Sequence, residues 1–175
     1  MMRKPVLLLL VLICGGVALS SCLESTSLED YLQQKINAVD NIRLALDTKT
    51  IDDSLEHWGI RPDYLIEPNG VRYKIETPGV GQNPSLKSFI KLKWEGRLLS
   101  DSSVFDVSPN FQSYVYDLIV GLQTTLPLLR EGTKATLLIP SGLGFGPVDL
   151  LDEAGDIKIP KNSNLIFKVE LLEVQ

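Results

Sequence analysis

The spacing of apolar residues changes once along this chain, near residue 60, and that change limits the folds open to it. Leu28, Tyr31, Leu32, Ile36, Val39, Ile42 and Leu46 recur at three- and four-residue steps, which places them on one face of a helix. Ser27 can cap that helix, with Asp30 three residues on. A second, shorter helix is expected from Thr50, with Asp53 three on and Ile51, Leu55 and Trp58 facing one way, ending at Gly59 before Arg61-Pro62. From Tyr64 the period is two. Ile90, Leu92 and Trp94 alternate with Lys91, Lys93 and Glu95, and the same alternation returns in Ala135, Leu137 and Ile139 and in Leu165, Phe167, Val169 and Leu171. Such segments are antiparallel strands with one buried and one wet face, punctuated by the breaks Pro68-Asn69-Gly70 and Pro78-Gly79-Val80-Gly81.

Between these strands, Gly121 to Gly132 carries Leu122, Leu126 and Leu129 at helical spacing, with Pro127 tolerable if it lies in the first turn. One short helix on one face of an antiparallel sheet is an α+β arrangement. The N-terminal stripe has to be covered too. Packing on the domain's own surface is the simpler reading; a second copy of the chain, giving a dimer through the N-terminal helices, is the other.

The chain of 175 residues with 44% apolar content has room for one core and its extensions. Arg3 and Lys4, then the unbroken apolar run Val6 to Ile13, then a small-residue stretch to Ser21, have the order of a secretory signal. That run is too short to span a bilayer. Leu19-Ser20-Ser21-Cys22 resembles the lipobox of bacterial lipoproteins, which implies that Cys22 becomes the lipidated first residue and anchors the chain to a membrane. Cys14 would leave with the signal, so no internal disulfide forms. Removing Arg3 and Lys4 from the 17 basic residues leaves 15 against 22 acidic ones, a formal −7 that does not suit nucleic acid or an anionic lipid surface.

Other chemistries lack their residues. His57, the only histidine, lies on the helical segment and reads as a surface residue; Asp40, Asp47, Asp52, Asp53 and Glu56 read as a solvated helix face. There is no Gly-x-Ser-x-Gly elbow, and Gly142-Leu143-Gly144-Phe145-Gly146 lacks the Gly-Lys-Ser of a phosphate loop. Asp149 to Asp156 lacks the regular oxygen spacing of a calcium loop and reads as solvated.

What remains is a set of aromatic strings in order: Trp94-Glu95-Gly96, Val104-Phe105-Asp106, and Leu143-Gly144-Phe145-Gly146 followed by Ile159-Pro160. Together they resemble the FKBP family of peptidyl-prolyl isomerases. The resemblance implies a curved antiparallel sheet wrapped on a short helix from about Gly70 to the end, so that residues 1–21 are a lipoprotein signal, 22–69 a helical extension and linker, and 70–175 the isomerase domain. By it, Trp94 stands at the pocket-wall tyrosine, Phe105 and Asp106 at the Phe-Asp pair, Phe145 at the second tyrosine of a Tyr-x-Tyr-Gly motif and Phe167 at the floor phenylalanine; these are the catalytic positions. Leu118, Ile119, Leu122 and Ile159 fall at the substrate-binding positions, with Leu122 where many members carry tryptophan. Phe111, Tyr114 and Tyr116 each can supply the remaining pocket aromatic.

Such residues suit the chemistry. An X-Pro amide must lose planarity to rotate, against a barrier of roughly 18–20 kcal/mol. The twisted amide is less charge-separated, so a dry pocket of ring faces favours it over the planar form, with no covalent step and no cofactor. Phe145 lacks the hydroxyl that donates to the bound carbonyl in the family, Lys158 stands beside Ile159 where an apolar residue is common, and no arginine follows to pair Asp106. A weakened isomerase is expected. It would act on proline-containing exported proteins, at the periplasmic or outer-membrane face of a bacterial membrane. A membrane-tethered chaperone or peptide-binding adaptor with little turnover is the alternative.

Overall fold

The computed structural model describes residues 27–175, so the signal segment and Cys22 lie outside the described residues. Helix α1, Leu28–Asn37, starts on Ser27: the Ser27 hydroxyl accepts from the Asp30 amide and the Asp30 carboxylate accepts from the Ser27 amide, the reciprocal cap expected from the sequence. The stripe beyond it is not one helix. The chain turns at Ala38, and Asp40 caps a second helix, α2, Asn41–His57, by accepting from the Ile42 and Arg43 amides at 2.8 and 3.0 Å. No new helix starts at Thr50. Its hydroxyl donates to the Leu46 carbonyl one turn back, and α2 runs through it to His57, with Trp58 at the cap and Gly59 beyond it at φ 70°.

The buried face of α2 is Asp47, Ile51 and Leu55, while Tyr31, Ile42 and Leu46 of the expected stripe are exposed. The helices lie on the chain's own body: Ile51 and Leu55 pack with Tyr64, Leu99, Leu138 and Ile166, and Leu32 joins the main core. The acidic face is also less solvated than its composition suggests. Asp40 is a cap, Asp47 is 1% exposed, and Asp52 pairs with Arg61 and Arg72 at 2.8 and 2.7 Å.

The Arg72 guanidinium, hydrogen-bonded to Asp52, holds that carboxyl below its ordinary range, with desolvation opposing and Arg61 assisting. A carboxyl depressed on folding stabilises the fold above its unfolded pKa, and this contribution fades as pH falls from about 3.8 through the folded value. Asp52→Asn is therefore expected to cost about 1–2 kcal/mol at neutral pH. Urea unfolding of both proteins should show that difference shrinking below about pH 4.

Eight strands follow: β1 Leu65–Ile66, β2 Arg72–Thr77, β3 Phe89–Leu98, β4 Val104–Tyr114, β5 Lys134–Ile139, β6 Leu150–Leu151, β7 Ile157–Ile159 and β8 Leu165–Val174. Six form an antiparallel sheet in the order β1-β2-β5-β8-β3-β4, and β6 pairs with β7 apart from it. The acidic stretch Asp149 to Asp156 thus belongs to a hairpin, with β6 inside it and β7 directly after it. The last strand lies in the middle of the sheet, between β5 and β3, so its inward residues meet the core from both sides.

Helix α3, Val120–Thr125, covers this face, with Leu122, Leu126 and Leu129 each 0–1% exposed. It is shorter than the leucine spacing suggests, and Pro127 is not in its first turn. Pro127 has no N–H to continue the ladder, and residues Leu126–Leu128 tighten into a 3₁₀ turn that ends the helix.

Candidate functional site

Strand parity brings the aromatic positions together. On β3, Leu92, Trp94 and Gly96 share the inner face; Gly96 pairs with Phe167 of β8 on one side and Asp106 of β4 on the other. Because Gly96 has no side chain, the Phe105 ring occupies the space above it: a Cβ there would stand 2.5 Å from Cζ of Phe105. Phe105 then meets Phe167 edge-on at 5.6 Å between centroids and Phe145 at 6.3 Å. Trp94 meets Phe167 at 5.8 Å, also edge-on. These separations fall in the range where aromatic pairs attract beyond simple burial.

Of the three candidates for the remaining ring, Phe111 is the one in contact. It stacks on Trp94 at 4.1 Å and 24°, whereas Tyr114 and Tyr116 stack on each other, with Tyr114 against Phe89. A bulge in β4, between Ser108 and Phe111 opposite Trp94 and Leu92, puts one extra residue into this strand and hides the parity from the sequence.

The remaining positions grade from floor to rim. Phe167, Leu122 and Ile159 are 1–3% exposed and Phe105 and Leu118 are 8–9% exposed, while Trp94, Phe111, Ile119 and Phe145 are half-buried against the same core. Lys158 next to Ile159 is exposed. Asp106 is half-buried, and among the described residues its carboxylate makes neither a hydrogen bond nor an ion pair. The Trp94 indole N–H is buried and finds no acceptor among the described residues.

Ahead of α3, Gln123 donates to the carbonyls of Tyr116 and Leu118 at 3.0 and 2.5 Å, which fixes the segment carrying Leu118 and Ile119. The Ile119 N–H faces no acceptor among the described residues, a backbone donor that side-chain patterns do not reveal. Beside this region lies a cavity of about 610 Å³ between the helix pair and the domain. Its lining includes Val120 and Gly146, the chain neighbours of Ile119 and Phe145. The acidic turn of the β6–β7 hairpin is satisfied by backbone: Asp152 accepts from the amides of Ala154 and Asp156 at 2.9 and 3.0 Å.

The arrangement offers ring faces and aliphatic walls with few polar groups. These are the surroundings that a compact apolar group such as a prolyl ring favours over water.

The sequence pattern of the family described as FKBP-type peptidyl-prolyl cis-trans isomerase matches residues 81–172. A probable FKBP-type isomerase FkpA of Neisseria meningitidis is 36% identical over 110 residues, 61% of this chain and 38% of that protein. The isomerase Mip of Coxiella burnetii is 32% identical over 119 residues, 66% of this chain and 49% of its own length, and the outer membrane protein MIP of Legionella longbeachae 29% over 121 residues, 66% and 48%. This chain spans less than half the length of these curated relatives. In three dimensions, an isomerase of Pseudomonas syringae superposes with TM-score 0.65 at 24% identity, over 77% of this chain and 94% of that one. FkpA of Escherichia coli gives 0.62 at 26% identity, over 82% and 64%. The match over residues 81–172 takes in more than half of the sequence, and this chain belongs to the FKBP-type peptidyl-prolyl cis-trans isomerase family.

Proposed function

We propose that this chain catalyses cis-trans isomerisation of X-Pro bonds in exported polypeptides, from a lipid anchor at Cys22. The observation that carries the reading is the continuous ring cluster Phe111, Trp94, Phe167, Phe105 and Phe145, whose members come from three strands and a loop. A prolyl ring entering at the half-buried rim of Trp94, Ile119 and Phe145 leaves water. In that setting the less charge-separated, twisted amide gains relative to the planar one. In this reading the Ile119 N–H is the donor for a substrate carbonyl flanking the proline.

The anchor and location rest on the sequence: the order of basic start, apolar run and Leu19-Ser20-Ser21-Cys22 supports export and lipidation. The printed name of the Legionella relative, an outer membrane protein, agrees with an envelope location. Exposed Tyr31, Ile42 and Leu46 on the helices are the surface through which a dimer would form.

The decisive measurement is cis-trans exchange of a Phe-Pro peptide with and without the protein, together with peptide binding. Acceleration supports the isomerase. Binding without acceleration replaces it by the adaptor reading, for which the missing hydroxyl at Phe145 and the unpaired Asp106 speak. Phe145→Tyr should raise kcat/KM by at most about tenfold, the value of one neutral hydrogen bond of about 0.5–1.5 kcal/mol. No gain on a peptide series would show that the hydroxyl has no role at this site.

A further inference from the structure

We propose that Asp47, on a helix outside the family-matched segment, is a positioning residue for the prolyl pocket: it holds the two loops that present Phe145 and Ile159. The inference rests on the isomerase reading above. Asp47 is 1% exposed, and its Oδ2 accepts from both the hydroxyl and the amide of Ser141, at 2.5 and 3.0 Å. Its Oδ1 faces Arg43 Nη2 across 2.7 Å as an ion pair rather than a well-aligned hydrogen bond. Arg43 in turn donates to the Asn162 carbonyl at 2.8 Å and the Ser141 hydroxyl at 3.4 Å.

Ser141 opens the turn that carries Phe145. Its carbonyl accepts from the amides of Gly144 and Gly146, the residues on either side of Phe145, at 3.0 and 2.9 Å. The Gly146 carbonyl accepts from the Asn162 amide at 2.8 Å, and the Asn164 side chain shares the Ser141 amide at 3.0 Å. Asn162 follows Ile159 by three residues. Val39, at the corner between α1 and α2, presses on the same turn: a Cβ at Gly142 would stand 2.7 Å from its Cγ1. One carboxylate from α2 thus links both loops of the ring cluster.

Holding the helix in place does not require it. Ile51 and Leu55, one and two turns on along the same face, are fully buried and anchor α2 by apolar contact. A carboxylate at the third position of that face has to be desolvated, which is costly unless each oxygen is met. Here Oδ2 is met by Ser141 of the loop that carries Phe145, and Oδ1 faces Arg43 of the same helix, whose guanidinium reaches on to Ser141 and Asn162.

The test compares Asp47→Ala, Asp47→Asn and Ile51→Val in the full chain, with kcat and KM on a Phe-Pro peptide and amide hydrogen exchange at Gly144 and Gly146. Asp47→Ala should lower kcat about fivefold with KM changed less than about twofold, and exchange at the two glycines should quicken about tenfold. Asp47→Asn keeps an oxygen for Ser141 and should restore kcat to within about twofold of the wild type. Ile51→Val loosens the same helix and should leave kcat and the glycine exchange unchanged. The proposal is overturned if Asp47→Ala leaves kcat and exchange as they were, or if Ile51→Val moves them equally, for then Asp47 is only a docking anchor. Should the wild-type chain not accelerate exchange of the peptide at all, the isomerase reading fails instead, and the hydrogen-exchange arm still decides the role of Asp47.

Discussion

Replacing Phe105 by alanine is expected to lower kcat/KM on a Phe-Pro peptide by about a hundredfold, the equivalent of about 3 kcal/mol. Phe105 is the ring that joins the others, lying between Phe167 at 5.6 Å and Phe145 at 6.3 Å, and it fills the space that Gly96 leaves on the neighbouring strand. Alanine removes both edge-on contacts and opens a gap between the sheet and the Phe145 loop. Water admitted there stabilises the planar, charge-separated amide and cancels the preference on which catalysis depends. Phe105→Leu separates the terms: it keeps apolar bulk and loses the ring face, and should fall about tenfold. Because truncating a buried phenylalanine also destabilises the fold, by about 3–5 kcal/mol, rates are compared with circular dichroism and urea unfolding at the assay temperature. A folded Phe105→Ala protein as fast as the wild type would remove the ring cluster from the mechanism.

The sheet and the aromatic set were legible because they rest on period and order. Side chains two apart on a strand share a face whatever the tertiary detail, so Trp94 with Leu92, and Phe167 with Leu165 and Val169, followed directly from alternation. The misreadings all came from hydrogen bonds that a pattern does not encode. Helical spacing continues across Ala38 to Asp40, and only the capping geometry of Asp40 shows the break. Thr50 followed three on by Asp53 has the form of a capping box, yet the Thr50 hydroxyl turns back to Leu46 and the helix continues. Pro127 looked compatible with a helix start and instead closes one. By residue type, Asp47 does not differ from its solvated neighbours Asp53 and Glu56. Its position four residues before Ile51 and eight before Leu55 was the one available sign that it faces inward.

Phe111 shows the same limit within the site. Counting forward from Phe105 cannot choose among Phe111, Tyr114 and Tyr116, since two bulges in the β3–β4 ladder change which residues face the core. A bulge depends on where an extra residue is cheapest to place, and no single residue type marks it. That Phe111 is the ring stacked on Trp94 emerges only once both strands are in register.

Gly96→Ala should produce the second largest loss and tests the pocket from its backbone. The strand pairs Gly96 with Phe167 and Asp106, so neither side of the backbone can move without breaking ladder bonds. A methyl group there would lie 2.5 and 2.6 Å from Phe105 Cζ and Cε2, closer than carbon atoms approach, and the ring rather than the strand has to yield. Phe105 is only 8% exposed and is bounded by Phe145 and Phe167, so tilting away from β3 drives it against those rings, where the proposed prolyl site lies. Overpacking of this kind costs about 2 kcal/mol of stability, and a comparable loss at the site is about thirtyfold in kcat/KM. The loss should be regained in Gly96→Ala/Phe105→Leu, where the shorter side chain accepts the methyl, so that the double variant is faster than Gly96→Ala alone although each single change is harmful. Additive losses in that double-mutant cycle would mean that the two positions do not meet, and the close approach of ring and strand would not be what shapes the pocket.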